Sequence, residues 1–152
     1  MSIIPVAGYL SPARVLDLKA ATRDAAIVEL CDALCGAPEV GDIDALRAAV
    51  REREAVMSTG IGLGIAVPHA KIPGVRDFVL ALGRSKAGID FQSLDGKPVH
   101  LVVLIAGPDD RQARYLQILA SVTLRLKREE VRRALLDAPG PAEVVAVLAR
   151  DG

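Results

Sequence analysis

The chain has 152 residues, of which 51% are apolar and 25% charged, a composition typical of a globular protein, and we treat residues 1–152 as one domain. Nineteen basic side chains balance nineteen acidic ones, and aromatic residues make up only 3%, which argues against a nucleic-acid groove with stacking platforms. No apolar stretch approaches the roughly 20 residues that span a bilayer, and the N-terminus lacks the basic start of a signal peptide. We therefore expect a cytoplasmic protein with no nucleic-acid partner and no direct insertion into a membrane.

Two helices are predicted in the first third of the chain. Thr22 stands where an N-cap would begin a helix that runs to about Gly36, with apolar residues at helical spacing. Asp42 is the corresponding cap of a second predicted helix, residues 43–54, which ends in the charged run RERE. These helices precede the glycine-rich segment on which the functional interpretation depends.

The two cysteines, Cys31 and Cys35, lie four residues apart on the first predicted helix. Such a pair could begin a metal site, but zinc takes four ligands and both histidines lie far away in the sequence. Helical positions i and i+4 also orient a disulfide poorly. We therefore expect reduced, mostly buried thiols and no metal.

The second half of the chain predicts the main strands of a sheet. Residues 78–83 (FVLALG) form one strand, and residues 99–106 (VHLVVLIA) form an almost unbroken apolar run, typical of a strand covered on both faces. Three helices are predicted after it, over about 108–127, 128–137 and 141–149. The pattern predicts an α/β fold with a single mixed β-sheet of about five strands flanked by helices on both faces.

A glycine-punctuated run, STGIGLGIAVPHAK at residues 58–71, contains His69, one of only two histidines. Three glycines thin out the side chains before a short apolar stretch. Pro68 is expected to end regular hydrogen bonding and to present His69, open to a reaction partner, at the end of that stretch. The alternative is a histidine that simply caps a strand. The other histidine, His100, lies inside an apolar strand and is interpreted as structural.

Common glycine-rich signatures do not fit this run. A Walker loop requires G-x-x-x-x-G-K-[ST], but Gly64 is followed by Ile-Ala, and the dinucleotide fingerprint would need glycine at position 65. A hydrolase with His69 as its base would need a nucleophile and an acid, and the spacing of Ser58 and Asp77 does not support that pairing. We therefore expect no cofactor.

A nucleophilic histidine fits the run better. A neutral imidazole with a pKa near ~6.5 can attack a phosphoryl group, and phosphoryl transfer needs mainly positioning and donors around the oxygens. Candidate donors close in sequence are Arg53, the hydroxyls of Ser58 and Thr59, the loop amides and Lys71. Alternatively, Arg53 is a solvated helix-end residue paired with a neighbouring glutamate, and Ser58 and Thr59 are turn residues.

The fragments Arg53–Glu54, STGIG at 58–62 and GIAVPHAK at 64–71 resemble the phosphohistidine region of a known family. That family is the enzyme IIA domains of the fructose/mannitol class in the bacterial phosphoenolpyruvate-dependent sugar phosphotransferase system. The similarity continues through FQSLDGKPVHLVVLIAGPDD and YLQILASVTLRL. The resemblance implies that His69 accepts a phosphoryl group from an HPr-like histidine phosphocarrier and passes it to a cysteine of a IIB partner. It also implies that Arg53 steadies that group and that one mixed sheet lies between helices.

Two positions depart from the family pattern. Many relatives have asparagine where this chain has Leu63, and commonly histidine where it has Tyr115. We expect the Tyr115 hydroxyl to face His69 and to bond the imidazole or a bound phosphate. A tyrosine, however, cannot share a titrating proton near neutral pH. Acceptance at His69 is therefore expected to survive, whereas onward transfer is expected to change in rate or direction.

The resemblance leaves two functions open. One is phosphoryl transfer in a sugar route, with the IIB partner supplied in trans. The other is that of the nitrogen-regulatory IIA proteins, in which a phosphoryl group adds a charge of about −1.5 to −2 and changes which target protein docks. Leu63, Ile72 and Val75 are candidates for an apolar rim around His69, or else they are core residues.

Overall fold

One six-stranded sheet forms the centre of the protein in the computed structural model, which describes residues 3–150. The strands are β1 (Val15–Asp17), β2 (Gly60–Gly62), β3 (Ile65–Ala66), β4 (His69–Lys71), β5 (Val79–Ile89) and β6 (Val99–Gly107). Their order is β1-β5-β6-β3-β2, and β4 also pairs with β6. β5 is antiparallel to β6, whereas β3 and β4 are parallel to it. The predicted mixed sheet is confirmed, with six strands instead of about five.

Five α-helices of the described part of the chain, residues 3–150, pack on this sheet. They are α1 (Arg23–Ala33), α2 (Ile43–Val56), α3 (Gln112–Leu126), α4 (Glu129–Asp137) and α5 (Pro141–Ala149). The side chains of Thr22 and Asp42 accept hydrogen bonds from the N–H groups of Ala25 and Ala45, so both predicted N-caps are confirmed. Among the helices of residues 3–150, none combines the length and apolar character that a membrane span requires.

Side chains of the central strand alternate between two apolar cores. In β6, Leu101, Val103 and Ile105 pack with residues of α3, α4 and α5. Val102 and Leu104 pack on the other face with residues of α1 and α2. Because both faces are covered, the strand is apolar at nearly every position, and the predicted layers of helix on both sides are confirmed.

β3 and β4 are two parts of one interrupted strand. Ile65 pairs with Leu101 and His69 with Ile105, so the register along β6 is the same on both sides of the interruption. Pro68 has no N–H, but its carbonyl still accepts the N–H of Ile105 at 3.0 Å. As expected, the regular strand is interrupted at Pro68, but hydrogen bonding to β6 continues through the Pro68 carbonyl. His69 begins a strand segment, whereas the sequence placed it at the end of one.

The two cysteines have different surroundings. Cys31 is buried in the core between α1 and the sheet, and this burial raises the pKa of its thiol to about 12. Cys35 is exposed, because α1 ends at Ala33 and the chain leaves the helical register before reaching it. The prediction of a buried thiol is thus right for Cys31 and wrong for Cys35.

Candidate functional site

A groove of about 420 Å³ lies beside β4, between the C-terminal half of α2 and the start of α3. It is lined by Ala49, Glu52, Arg53, Val56, His69, Ala70, Lys71 and Tyr115. Within residues 3–150, β4 pairs only with β6, so its other edge is open. Ala70 packs in the core under α1 and α2, and side chains alternate along a strand, so His69 and Lys71 project to the face covered by α3.

The His69 ring is held in one orientation by its own backbone. Its Nδ1 lies 2.8 Å from the carbonyl oxygen of Val67. A carbonyl oxygen only accepts hydrogen bonds, so Nδ1 carries the proton and donates it. In the neutral ring, Nε2 is then the nitrogen with the free lone pair. The local sequence favours this arrangement because Pro68 separates the two residues and offers no competing N–H.

The His69 imidazole is half-buried, and its pKa lies below the usual value for histidine. Desolvation by burial is the largest cause, and the nearby positive charge of Arg53 lowers the pKa further. The hydrogen bond to Val67 and the negative charge of Glu54 act in the opposite direction. The net effect keeps the ring neutral, which is the state in which Nε2 can act as a nucleophile.

Tyr115 lies directly against the His69 ring. The two ring centroids are 5.9 Å apart with an interplanar angle of 62°, an edge-to-face contact. Tyr115 is buried at the start of α3, and burial raises the pKa of its hydroxyl to about 12. The phenol therefore remains a hydrogen-bond donor throughout the physiological range of pH.

Two cations flank these rings. Arg53 is half-buried at the end of α2, donates a hydrogen bond to the carbonyl of Met57 at 2.9 Å, and lowers the pKa values of both His69 and Tyr115 through its charge. Lys71 donates to the side-chain oxygen of Gln112 and lies 5.4 Å from the centroid of the Tyr115 ring. Four residues expected from the sequence to share one site thus line one groove.

The hydroxyls of Ser58 and Thr59 are used inside the protein. Ser58 Oγ donates to the carbonyl of Phe91 and accepts the N–H of Gly60 at 3.0 Å. Thr59 is buried, and its Oγ1 donates to Glu54 at 2.6 Å. Neither residue lines the groove, so the expectation that their hydroxyls donate to a phosphoryl group is corrected. They shape the turn that leads into β2.

Glu54 is the residue of this region that the sequence interpretation missed. Its side chain is 3% exposed, and its carboxylate accepts the N–H of Thr59 at 2.7 Å as well as the Thr59 hydroxyl. The charged run RERE hides its role. A signal was nevertheless present, because Leu46, Val50 and Glu54 recur every fourth residue on the buried face of α2.

The apolar rim differs from the one expected. Val75 is 1% exposed and Ile72 packs against the core under α1 and α2, so these two residues are not rim residues. Leu63 is exposed, at φ 61°, a left-handed conformation that asparagine or glycine adopts more easily than leucine. Val56 and Met57 are strongly exposed at the end of α2, and Val56 lines the groove.

Comparison with known proteins decides the family. Residues 13–151 match the model of the family described as "Phosphoenolpyruvate-dependent sugar phosphotransferase system, EIIA 2". The chain belongs to this family. It is 39% identical over 142 residues to a fructose-specific EIIA component of Haloferax volcanii, covering 92% of each protein. It is 38% identical over 133 residues to the fructose-specific EIIABC component of Bacillus subtilis, but this covers 88% of the chain and only 21% of that protein.

Other similarities extend to regulatory proteins and to solved structures. The chain is 30% identical to a nitrogen regulatory protein of Bradyrhizobium diazoefficiens, covering 96% of this chain and 95% of that protein. Its fold matches the IIA-Ntr protein of Neisseria meningitidis with a TM-score of 0.87 at 24% identity, covering 93% and 97% of the two chains. It also matches the fold of the mannitol IIA enzyme from a complex with phosphorylated IIB of Escherichia coli, with a TM-score of 0.77 at 24% identity, covering 91% and 96% of the two chains.

Proposed function

We propose that the chain is a phosphohistidine carrier of the phosphoenolpyruvate-dependent phosphotransferase system. In this role, Nε2 of His69 accepts a phosphoryl group from an HPr-like histidine phosphocarrier and passes it to a cysteine of a IIB partner. Residues 1–152 would form one IIA domain that works in the cytoplasm. The observation that carries the proposal is the position of His69 on an open strand edge, in a groove that also contains Arg53 and Lys71. The hydrogen bond from its Nδ1 to Val67 leaves Nε2 as the nucleophilic nitrogen. The fructose-specific EIIABC relative and the mannitol IIA in complex with phosphorylated IIB support a IIB partner.

The groove contains the groups that phosphoryl transfer needs around the reacting nitrogen. Arg53 and Lys71 supply positive charge for the phosphoryl oxygens, and the planar guanidinium of Arg53 can bind two oxygens at once. Tyr115 packs its ring against the imidazole, and its raised pKa keeps the hydroxyl protonated. Phosphoryl transfer depends mainly on positioning and charge stabilisation, so this set requires no further acid or base.

The transfer balances with the proton held in place. The Nε2 lone pair forms the new bond to phosphorus while the donor's N–P bond breaks and its electron pair returns to the donor nitrogen. Nδ1 keeps its proton, which it donates in the hydrogen bond to the Val67 carbonyl. The phosphorylated ring is therefore an imidazolium beside a negatively charged phosphoryl group. Attack by a IIB thiolate then breaks the Nε2–P bond, and its electron pair restores the neutral imidazole.

Phosphorylation in solution tests this proposal. Incubation with phosphoenolpyruvate, enzyme I and an HPr-like phosphocarrier is expected to add about 80 Da in an acid-labile form, as for a phosphoramidate. His69→Ala is expected to lose this label, and the matched variant His100→Ala is expected to keep it. Full labelling of His69→Ala, with loss of the label in His100→Ala, would contradict the proposal.

A second candidate function is that of a phosphorylation-switched regulator. The similarity to the Bradyrhizobium nitrogen regulatory protein over nearly the full length of both chains favours it, as do the exposed apolar residues Val56, Met57 and Leu63. A charge of about −1.5 to −2 added at this surface would change which protein docks there. Mixing the phosphorylated chain with IIB proteins of the fructose and mannitol classes separates the two. Passage of the label to a IIB cysteine supports the carrier, and retention with every IIB protein favours the regulator.

A further inference from the structure

Glu54 is a buried carboxylate that the proposed chemistry does not use directly. It lies one residue after Arg53 in α2, with a side chain that is 3% exposed. One carboxylate oxygen accepts the Thr59 N–H at 2.7 Å and the other accepts the Thr59 hydroxyl at 2.6 Å. Charge-assisted hydrogen bonds of this length are among the strongest in proteins, and they fix Thr59 against the end of α2.

Two further hydrogen bonds connect Thr59 to the His69 ring. The carbonyl of Thr59 accepts the N–H of Val67 at 3.1 Å. The carbonyl of Val67 accepts Nδ1–H of His69 at 2.8 Å. An unbroken chain of hydrogen bonds therefore runs from Glu54 through Thr59 and Val67 to the imidazole. In Thr59 and in Val67 the donor and acceptor belong to different peptide groups, so the chain transmits position and does not conjugate the carboxylate with the ring.

We propose that Glu54 is a positioning residue for phosphoryl transfer. It holds Thr59 and Val67 so that the Val67 carbonyl keeps the proton on Nδ1 of His69 and leaves Nε2 to react. This inference rests on the proposed role of His69 as the phosphoryl acceptor. The position requires a carboxylate, because Thr59 presents two donors to two oxygens, and a glutamine would turn an NH₂ group towards one of them.

The charges around His69 predict the direction in which its pKa changes when the Glu54 carboxylate is removed. A general structural role for Glu54 would not produce a change in that direction. Among the described residues, Glu52, Arg53, Lys71 and Tyr115 are the ionisable groups that line the groove with His69. Burial and Arg53 lower the pKa of the ring, whereas the Val67 hydrogen bond and the charge of Glu54 raise it. Removal of the carboxylate is therefore expected to lower the pKa further. Mere loosening of the site would admit water and raise the pKa towards its ordinary value.

Nitrogen-15 NMR of the unphosphorylated full chain tests the proposal with Glu54→Gln. The expected result is loss of the pure Nδ1–H tautomer of His69, a lower pKa for this ring, and phosphorylation slowed by about 10-fold or more, as small misplacements of reacting groups produce. Glu130→Gln is the matched control, because Glu130 is exposed on α4 and does not line the groove. It is expected to behave as wild type. An unchanged tautomer in Glu54→Gln, or a pKa that stays or rises, would overturn the proposal.

Thr59 provides a second pair of variants. If Glu54→Gln does not fold, Thr59→Val decides, since it removes the hydroxyl bond and keeps the N–H bond to the carboxylate. In Thr59→Val, the population of the Nδ1–H tautomer of His69 is expected to fall, by less than in Glu54→Gln. In Thr59→Ser, His69 is expected to keep the wild-type tautomer. An unchanged tautomer in Thr59→Val would overturn the proposal. Because this measurement uses unphosphorylated protein, its failure is distinct from absence of a label on wild-type His69, which would refute the carrier function.

Discussion

The two histidines of the chain differ more in their surroundings than in their hydrogen bonds. Each lies on a strand, and each has Nδ1 2.8 Å from a backbone carbonyl, that of Val67 for His69 and that of Ser85 for His100. His100 lies on β6 within the sheet, so close to Gly88 that a Cβ there would come within 3.1 Å of its ring. His69 lies on an open strand edge beside a groove with two cations. The shared hydrogen bond fixes a tautomer, whereas edge position and neighbouring charge distinguish the proposed reactive histidine.

The largest effect is expected from the cation next to His69. Arg53→Lys should slow phosphorylation by about 10-fold or more, because an ammonium group cannot reproduce the two-point binding of a guanidinium. Arg51→Lys is the control, since Arg51 lies on the same helix but pairs with Asp24. Rates measured by mass spectrometry over time check this prediction. Equal rates for Arg53→Lys and Arg51→Lys would contradict this prediction and would show that Arg53 is only a solvated charge at the helix end.

The ring that contacts His69 gives the next largest effect. Tyr115→Phe keeps the edge-to-face contact and removes only the hydroxyl. The expected hydrogen bond from this hydroxyl to the imidazole or to a bound phosphate is worth about 1 kcal/mol net. We expect acceptance to slow by roughly fivefold on the scale that relates free energy to rate. Tyr9→Phe is a matched control, because Tyr9 packs on Phe78 and does not line the groove. A rate for Tyr115→Phe that matches both wild type and Tyr9→Phe would exclude the hydroxyl from the reaction.

A smaller effect on the rate of phosphorylation is expected when the pH is lowered to about 6.5. The pKa of His69 lies below the ordinary value, so more than half of the rings remain neutral at about pH 6.5. At that pH the rate of phosphorylation of His69 should therefore be less than twofold below its maximum. The larger decrease in rate should occur at lower pH. Arg53→Gln should move this acid limb to higher pH, because the arginine charge disfavours the imidazolium. NMR titration of the ring checks both statements, and a wild-type pKa at or above the ordinary value would contradict them.

The smallest effect on transfer is expected at Leu63. Its left-handed backbone disfavours leucine, so Leu63→Asn should stabilise the protein by about 1 kcal/mol, or raise Tm by roughly 2–4 °C. The residue lies outside the groove around His69, and the rate of phosphorylation should not change. Thermal unfolding and mass spectrometry measure the two quantities. A lower Tm in Leu63→Asn would show that the exposed leucine side chain stabilises the turn.

The sequence predicts the parts of the fold that local pattern determines. The apolar run of β6 and the caps Thr22 and Asp42 are such parts, because burial on two faces and a side-chain acceptor leave local signatures. β1 was not predicted, since three residues carry little pattern and pairing with β5 determines the strand. β5 extends to Ile89, beyond the predicted end, because its pairing with β6 resumes at Ile89 after an irregular segment that follows Arg84.

In the candidate site, too, the sequence predicts the features that local pattern determines and misses those that depend on contacts with other segments. Lys71 is predictable from His69, because residues two apart on a strand share a face. Tyr115 could be placed only through family resemblance, since it lies on a helix far away in the sequence. Ser58 and Thr59 were assigned to the wrong partners, because a sequence does not show that Phe91 and Glu54 take their hydroxyls. Glu54 was missed for the same reason, as its partner lies across a turn.

The most direct test of the central claim is the atom that carries phosphorus. Wild-type protein with nitrogen-15-labelled histidine can be phosphorylated and examined by phosphorus and nitrogen NMR, which resolves the nitrogens of both rings. Because Nδ1 of His69 donates a hydrogen bond to the Val67 carbonyl, we predict one phosphoryl group on Nε2 of His69, with Nδ1 still protonated. A phosphoryl group on Nδ1 of His69, or on His100, would contradict the account.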